Sequence, residues 1–203
     1  MASAESHFAT RTTTKLLDAL HDRGNEPAWV HLDARYRPVL CGLARRLGLN
    51  QEGAEEVAQQ ALAEFVKAYR ENRYDRSRGR LSSWILSIAR NITLHLLRDS
   101  KRGPKSGTPL PDVPDDCALR TIWTDERDRT ILDKALAMMR DDSGTDDRTL
   151  RAFELVALRG VPAAQAGEQC SMSVDQVYVA RSRVTKRLRV LVDELTAAFE
   201  EDT

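Results

Sequence analysis

The chain has 203 residues, 31% of them charged and only 5% aromatic, with a formal net charge of zero. That length admits one large or two small domains, the composition suits compact helical domains better than a β-sandwich, and the overall balance gives no bias towards a polyanion. No run approaches the roughly 18 apolar residues of a membrane span, and MASAESHFATRTTTKLL lacks the apolar stretch of a signal peptide, so a cytoplasmic protein with no membrane insertion is expected.

Thr14 to His21 carries a short amphipathic pattern, with Leu16, Leu17 and Leu20 behind a threonine-rich start. A second helical stretch runs from about Glu26 to Leu47, and Pro38 inside it is expected to kink or divide it near Arg37. Gly48-Leu49-Asn50 reads as a turn in which Asn50 caps a third helix, Gln51 to about Glu71. Ala54, Val57, Ala58, Ala61, Leu62, Phe65 and Tyr69 share one side of it. Tyr74 to Arg80 is a basic loop. A fourth helix follows, with Leu81, Trp84, Ile85, Ile88, Ile92 and Leu96 at helical spacing. Asp99 to Asp116 holds four prolines and two glycines without periodicity and reads as a linker.

Beyond it, Leu119 to Met139 is helical, and Trp123, Leu132, Leu136 and Met139 are expected to pack against the helix-turn-helix described below. Asp141 to Asp147 is an acidic break. Arg148 to Arg159 is helical, with Leu150, Phe153, Val156 and Ala157 inward, and Gly160 stops it. Pro162 opens a short helix to about Cys170. The last helix starts at Ser173 and keeps its period to about Phe199, before the acidic Glu200-Glu201-Asp202. No strand of convincing length and no repeat is seen, so the expected fold is all-α, two small helical domains joined by a flexible linker.

The zero net charge hides a segregation. Arg35 to Lys105 holds 15 Lys/Arg against 7 Asp/Glu, net +8, whereas Leu110 to Thr149 holds 6 against 11, net −5. Local basic faces that attract a polyanion are one reading, and ordinary solvated helix faces are the other. Cys41, Cys117 and Cys170 lie far apart with no C-x-x-C, and four scattered histidines form no ligand pair. A reduced compartment and no metal or cofactor are expected, and no nucleophile, acid–base pair or phosphate loop points to an enzyme.

The C-terminal stretch SVDQVYVARSRVTKRLR begins with Ser173 and Gln176 in the S-x-x-Q spacing of a capping box. Val174, Val177, Val184, Leu188 and Leu191 form an apolar stripe, and Arg181, Arg183, Lys186, Arg187 and Arg189 crowd the other faces. With the Pro162–Cys170 helix and a three-residue break before it, the unit matches a helix-turn-helix. Gly167 falls where a small residue lets the two helices approach, while Cys170 and Met172 are placed to bury against Val177. Ser173, Gln176, Tyr178, Val179, Arg181, Ser182, Arg183 and Lys186 are the candidates to face DNA. Gln can bond adenine, Arg can bond guanine or phosphate, and Val can touch a thymine methyl. A helical hairpin with a merely solvated basic side is the alternative. Ser171 occupies the turn where glycine would be easiest, at a cost of about 1 kcal/mol if its φ is positive.

Upstream, YRPVLCGLARRLGL, EEVAQQALAEFVKAY and YDRSRGRLSSWILSIARN resemble region 2 of the bacterial sigma-70 family, in its extracytoplasmic-function group. Tyr36 and Pro38, then Glu55, Glu56, Val57 and Gln59, then Tyr74 to Arg80, then Trp84, Ile88, Ala89 and Asn91 follow that family's order. The C-terminal A-x-S-R-V-x-x-R-L-R is similar to its region 4. The resemblance covers about residues 26–99 and 121–192. It implies an N-terminal extension over 1–25, region 2 over 26–99, a linker over 100–120, region 4 over 121–195 and an acidic tail over 196–203.

Family members bind core RNA polymerase and promoter DNA. By that resemblance Glu55, Glu56, Gln59 and Gln60 dock on the clamp helices of the largest catalytic subunit. The acids are equally explained as favourable charges at a helix N-terminus. Arg76, Arg78 and Arg80 supply cations at the minus-ten element, Asn91 reads a flipped base, and Arg90, His95 and Arg98 touch phosphate or neighbouring bases. Trp84 supports the core or stacks on a base. The C-terminal domain reads the minus-thirty-five element and meets the flap tip of the second-largest subunit, and an anti-sigma factor is a further possible partner. Two stretches depart from the family pattern. Gln176-Val177-Tyr178-Val179-Ala180 replaces Thr-Val-Lys-Ser-Arg, and Val57-Ala58-Gln59-Gln60 replaces Leu-Val-Gln-Glu. The implied function is an alternative sigma factor. The rivals are a stand-alone helix-turn-helix regulator and a helical protein-interaction adaptor.

Overall fold

A computed structural model describes residues 13–22, 24–75, 77, 79–101, 114–141 and 144–199. The described residues hold eight α-helices and no strand. They fall into two compact units: one runs up to Thr130 and includes Ala198 and Phe199, the other is Ile131–Ala197.

The first unit begins with α1, Thr13–Leu20, which buries Leu16, Leu17 and Leu20. α2, Glu26–Arg46, is capped by Asn25, whose side chain accepts from the Ala28 N–H at 3.1 Å. Leu32, Tyr36, Val39, Leu40 and Leu43 line its buried face at helical spacing. Pro38 does not divide it: the helix is continuous through that position. The carbonyl that loses its donor belongs to Ala34, and Ala34 and Pro38 are both exposed, so water can satisfy it.

Asn50 caps α3, Gln51–Arg70, through a 2.9 Å bond from the Gly53 N–H. α3 buries the expected stripe from Ala54 to Phe65, and Tyr69 is half-buried. α4, Leu81–Lys101, is anchored by Leu81, Ile85, Ile88 and Ala89. It runs past Asp99, where a linker was expected, because no proline or glycine occurs before Gly103. The rest of the expected linker up to Val113 lies outside the described residues, as do residues 1–12 and the acidic tail from Glu200.

α5, Asp116–Asp141, starts earlier than the apolar pattern showed, because Asp115 caps it by accepting from the Ala118 N–H at 2.8 Å. Trp123 does not pack where it was expected. It is buried in the first unit's core with Leu119, stacked 6.3 Å from Tyr36. Helix geometry gives the reason. Trp123 and Met139 are sixteen residues apart, so at about 100° per residue they lie about 160° apart around α5, and one partner cannot bury both. Leu132, expected to pack, is 39% exposed.

In the second unit Met139 packs with Leu150, Phe153 and Val184. α6, Asp147–Phe153, is capped by Asp146 and passes directly into a π-helical turn, Glu154–Leu158, which no residue pattern announces. Gly160 ends it, and α7, Ala163–Cys170, follows Pro162. α8, Val174–Phe199, completes the unit as far as Ala197.

Candidate nucleic-acid and polymerase interfaces

The turn between α7 and α8 is tightly built. Ser171 has φ +52°, the left-handed conformation that an L-residue adopts at a cost. It lets the Met172 N–H reach the Gly167 carbonyl at 2.8 Å. A Cβ on Gly167 would stand 2.6 Å from the Met172 carbonyl oxygen and 3.7 Å from Val177 Cγ2. The glycine therefore makes room for the turn's own backbone, and only secondarily for the second helix. Cys170, Val177 and Ala180 are buried together with Ala166 and Ala152, with Met172 packed against them.

Both capping-box bonds form at the head of α8: Ser173 N–H to Gln176 Oε1 at 2.8 Å, and Gln176 N–H to Ser173 Oγ at 3.2 Å. With Val177, Ala180 and Val184 inward, Ser173, Gln176, Tyr178, Val179, Arg181, Ser182, Arg183 and Lys186 are all exposed. Val174 leaves the expected apolar stripe and is 42% exposed, because it stands about 120° round the helix from buried Ala180 and about 80° from Val184. Arg181, Arg183 and Lys186 have no ion-pair partner among the described residues. A run of uncompensated cations beside exposed Tyr178 and Val179 is chemically suited to phosphates and base edges.

In the first unit, the loop before α4 is shaped by Asp75, which accepts from the N–H and Oγ of Ser77 at 2.9 and 2.7 Å. Tyr74 lies parallel to Trp84, ring centres 5.3 Å apart and 11° from coplanar, while Trp84 meets Phe65 edge-on at 5.5 Å. Trp84 thus has one contact in the core and one face towards the loop. The two aromatics, with Arg73, Asp75, Gly79, Arg80, Ser83 and Ser87, line a cleft of about 300 Å³. Tyr74, Ser83 and Ser87 were not among the expected site residues. The ten-residue separation of Tyr74 and Trp84 across a loop gives no periodic signal.

Of the expected cations, Arg80 is exposed at this cleft, and Arg76 and Arg78 lie outside the described residues. Along α4, Asn91 and Arg98 are exposed. His95 is exposed as well, its Nδ1 2.9 Å from Asp99 Oδ2. Arg90 is half-buried, and its Nε is buried with no hydrogen-bond partner.

On α3 the four docking candidates divide. Glu55 is tied down: Arg37 of α2 reaches it at 3.4 Å and Gln51 Nε2 at 2.8 Å. Hydrogen bonding to Asp33 first, and then to Glu55, pushes the Arg37 guanidinium pKa up. Glu56 accepts from Gln60 Nε2 at 2.9 Å in the open, and Gln59 is exposed beside them. Neighbouring Cys41 is buried: burial pushes its thiol up to about 11, and its Sγ lies 3.6 Å from the Ala54 carbonyl. Among the described residues no cluster of His, Cys, Asp or Glu could hold a metal, and no helix is long and apolar enough to cross a membrane.

The basic loop with the polar face of α4, and the capped pair α7–α8, are the two features of the described residues chemically suited to nucleic acid, and comparison with known proteins bears on them. Residues 32–103 match the family model of sigma-70 region 2. The chain is also similar, over most of its length, to two bacterial sigma factors. It is 27% identical over 184 residues to the RNA polymerase sigma-H factor of Pseudomonas aeruginosa, covering 85% of this chain and 92% of that one. It is 28% identical over 173 residues to the ECF RNA polymerase sigma factor RpoE of Cereibacter sphaeroides, covering 80% and 91%. Both alignments are too long to stop at region 2, so they run into the second unit. The sigma-factor family is not a family of enzymes.

Proposed function

We propose that this protein is an alternative sigma factor of the extracytoplasmic-function kind, which binds core RNA polymerase, recognises two promoter elements and promotes strand opening. The observation that carries the reading is the coexistence of two separate DNA-suited surfaces on a chain whose region 2 is of the sigma family. One is the loop and α4 face with Arg80, Asn91 and Arg98. The other is the exposed cationic face of α8 with Arg181, Arg183 and Lys186. A stand-alone repressor would need only the second.

Glu56, Gln59 and Gln60 offer an accessible polar surface for the polymerase clamp. Glu55 serves it indirectly, holding α3 to α2 through Arg37. Asn91 presents an amide, a group that can hydrogen-bond the edge of an unpaired base. The Tyr74–Trp84 pair supplies flat apolar surface beside it in sequence. Strand opening draws its energy from binding the unpaired strand. At the minus-thirty-five element α8 enters the major groove from its capped end, where Tyr178 and Val179 stand in place of the family's polar residues. Flap-tip docking, the domain limits 26–99 and 121–195, a cytoplasmic site of action and control by an anti-sigma factor complete the reading. Its test is promoter-specific initiation by core polymerase with and without the purified chain.

A further inference from the structure

α1 precedes the residues that match sigma-70 region 2, and its end lies against α3 just ahead of the Tyr74–Trp84 cleft. Two neighbouring residues of α3 hold that end. Arg70 donates through Nε to the carbonyl of Leu20, the last residue of α1, at 2.8 Å, where a helix C-terminus favours a cation. The His21 ring lies on Tyr69, ring centres 4.7 Å apart. From Tyr69 the ring contacts continue into the cleft. Tyr69 meets Tyr74 at 6.2 Å, and Tyr74 stacks on Trp84 at 5.3 Å. Each separation is within the range of about 4.5–7 Å in which aromatic pairs attract. Fully buried Phe65 meets both Tyr69 and Trp84, at 6.0 and 5.5 Å, and fixes the row to the core. The Tyr74 hydroxyl donates to the Gly79 carbonyl at 3.4 Å, so the ring that walls the cleft also holds the far side of the loop.

We propose that α1 is a brace for this cleft, and that His21 is a positioning residue which, through Tyr69, sets where Tyr74 stands when an unpaired base enters beside it. The inference rests on the sigma-factor reading. Its physical ground is a contrast between neighbouring residues. Leu16, Leu17 and Leu20 are buried, and they account for the adhesion of α1 to the core. His21 is exposed and adds little to that burial; what its ring covers is Tyr69. Tyr69, Tyr74 and Trp84 are each only half-buried, so the row depends on ring meeting ring. Tyr69 is held between His21 and Tyr74, and Tyr74 between Tyr69 and Trp84. Without His21, Tyr69 is free to tilt away and Tyr74 loses its support on that side. A wall already in place takes up a flat base without the ordering cost of a mobile one.

Replacing the ring tests the brace. In the full chain, His21→Ala is expected to lower promoter opening with core polymerase, read by permanganate reactivity, by about threefold or more, the contribution of one aromatic pair. Its melting temperature and its affinity for core polymerase should stay those of the wild type. His21→Phe keeps a flat ring on Tyr69 and should restore opening to within about twofold. Full opening by His21→Ala overturns the brace, and so does an equal loss in both variants. A parallel loss of stability and polymerase affinity makes α1 a packing element alone and overturns it too. NMR of the unbound chain reads the same row without polymerase. The Tyr74 ring protons, shifted upfield over the Trp84 indole, should move towards ordinary tyrosine positions in His21→Ala and stay in place in His21→Phe. Unmoved Tyr74 resonances in His21→Ala refute the brace alone. A wild-type chain that never opens DNA with core polymerase refutes the sigma-factor reading, and the part of the brace in opening with it.

Discussion

Ser173 and Gln176 exchange two hydrogen bonds across the first turn of α8, so the side chain expected to read a base also closes the helix. Oε1 of Gln176 is committed to the Ser173 N–H, and the Nε2 donor is what remains to meet DNA. The two roles separate by substitution. Gln176→Glu keeps an acceptor for the cap and removes the donor. It is expected to weaken minus-thirty-five binding about tenfold with little change in the urea midpoint. Gln176→Ala should lose both, adding about 1 kcal/mol of destabilisation.

Glu55 and Glu56 are adjacent but differently held, and their variants should behave differently. Glu56→Ala removes an exposed group and should weaken core polymerase binding several-fold without lowering thermal stability. Glu55→Ala breaks the bridge to Arg37 and should lower stability by about 0.5–1 kcal/mol, the range of a part-exposed pair. Binding titrations and melts on the same two proteins decide this.

Asn91→Ala should leave polymerase binding and duplex minus-thirty-five affinity unchanged while reducing strand opening at least tenfold, read by permanganate reactivity of unpaired thymines. Arg183→Ala should show the opposite pattern. It should weaken duplex binding at every sequence and lower the salt dependence by about one ion.

The three cysteines should label in order of exposure. Cys117 is exposed, and Cys41 and Cys170 are buried. At pH 8 one thiol should react quickly with an alkylating reagent, and all three only in denaturant. Cys41 has the further barrier of a pKa near 11, which leaves little thiolate below pH 9. Fast labelling of Cys41 in the native chain would contradict the packing of α2 on α3, and fast labelling of Cys170 that of α7 on α8.

Much of this fold is legible in the sequence because its signals are local. Asn50 and the Ser173–Gln176 pair announce helix starts within one turn, and the stripe from Ala54 to Phe65 announces a buried face within about four turns of chain. The strained Ser171 is legible for the same reason. What escapes is decided by partners distant in sequence. α5 reads as one amphipathic helix, yet Trp123 and Met139 bury on opposite sides of it. Gly42 looks like a weak point in α2 until Glu126, 84 residues later, fills the space it leaves. The charge count places Glu55 and Glu56 together on α3, and only the position of Arg37 tells the tethered acid from the available one.

The central claim is that this chain lends promoter specificity to RNA polymerase. In vitro transcription with core enzyme, on a template carrying a promoter selected by the reconstituted complex, measures it most directly. Run-off product of defined start site is predicted only when the chain is present, and it should be lost with Asn91→Ala. A chain that binds the same DNA by itself but never yields a specific transcript with core enzyme would contradict the account.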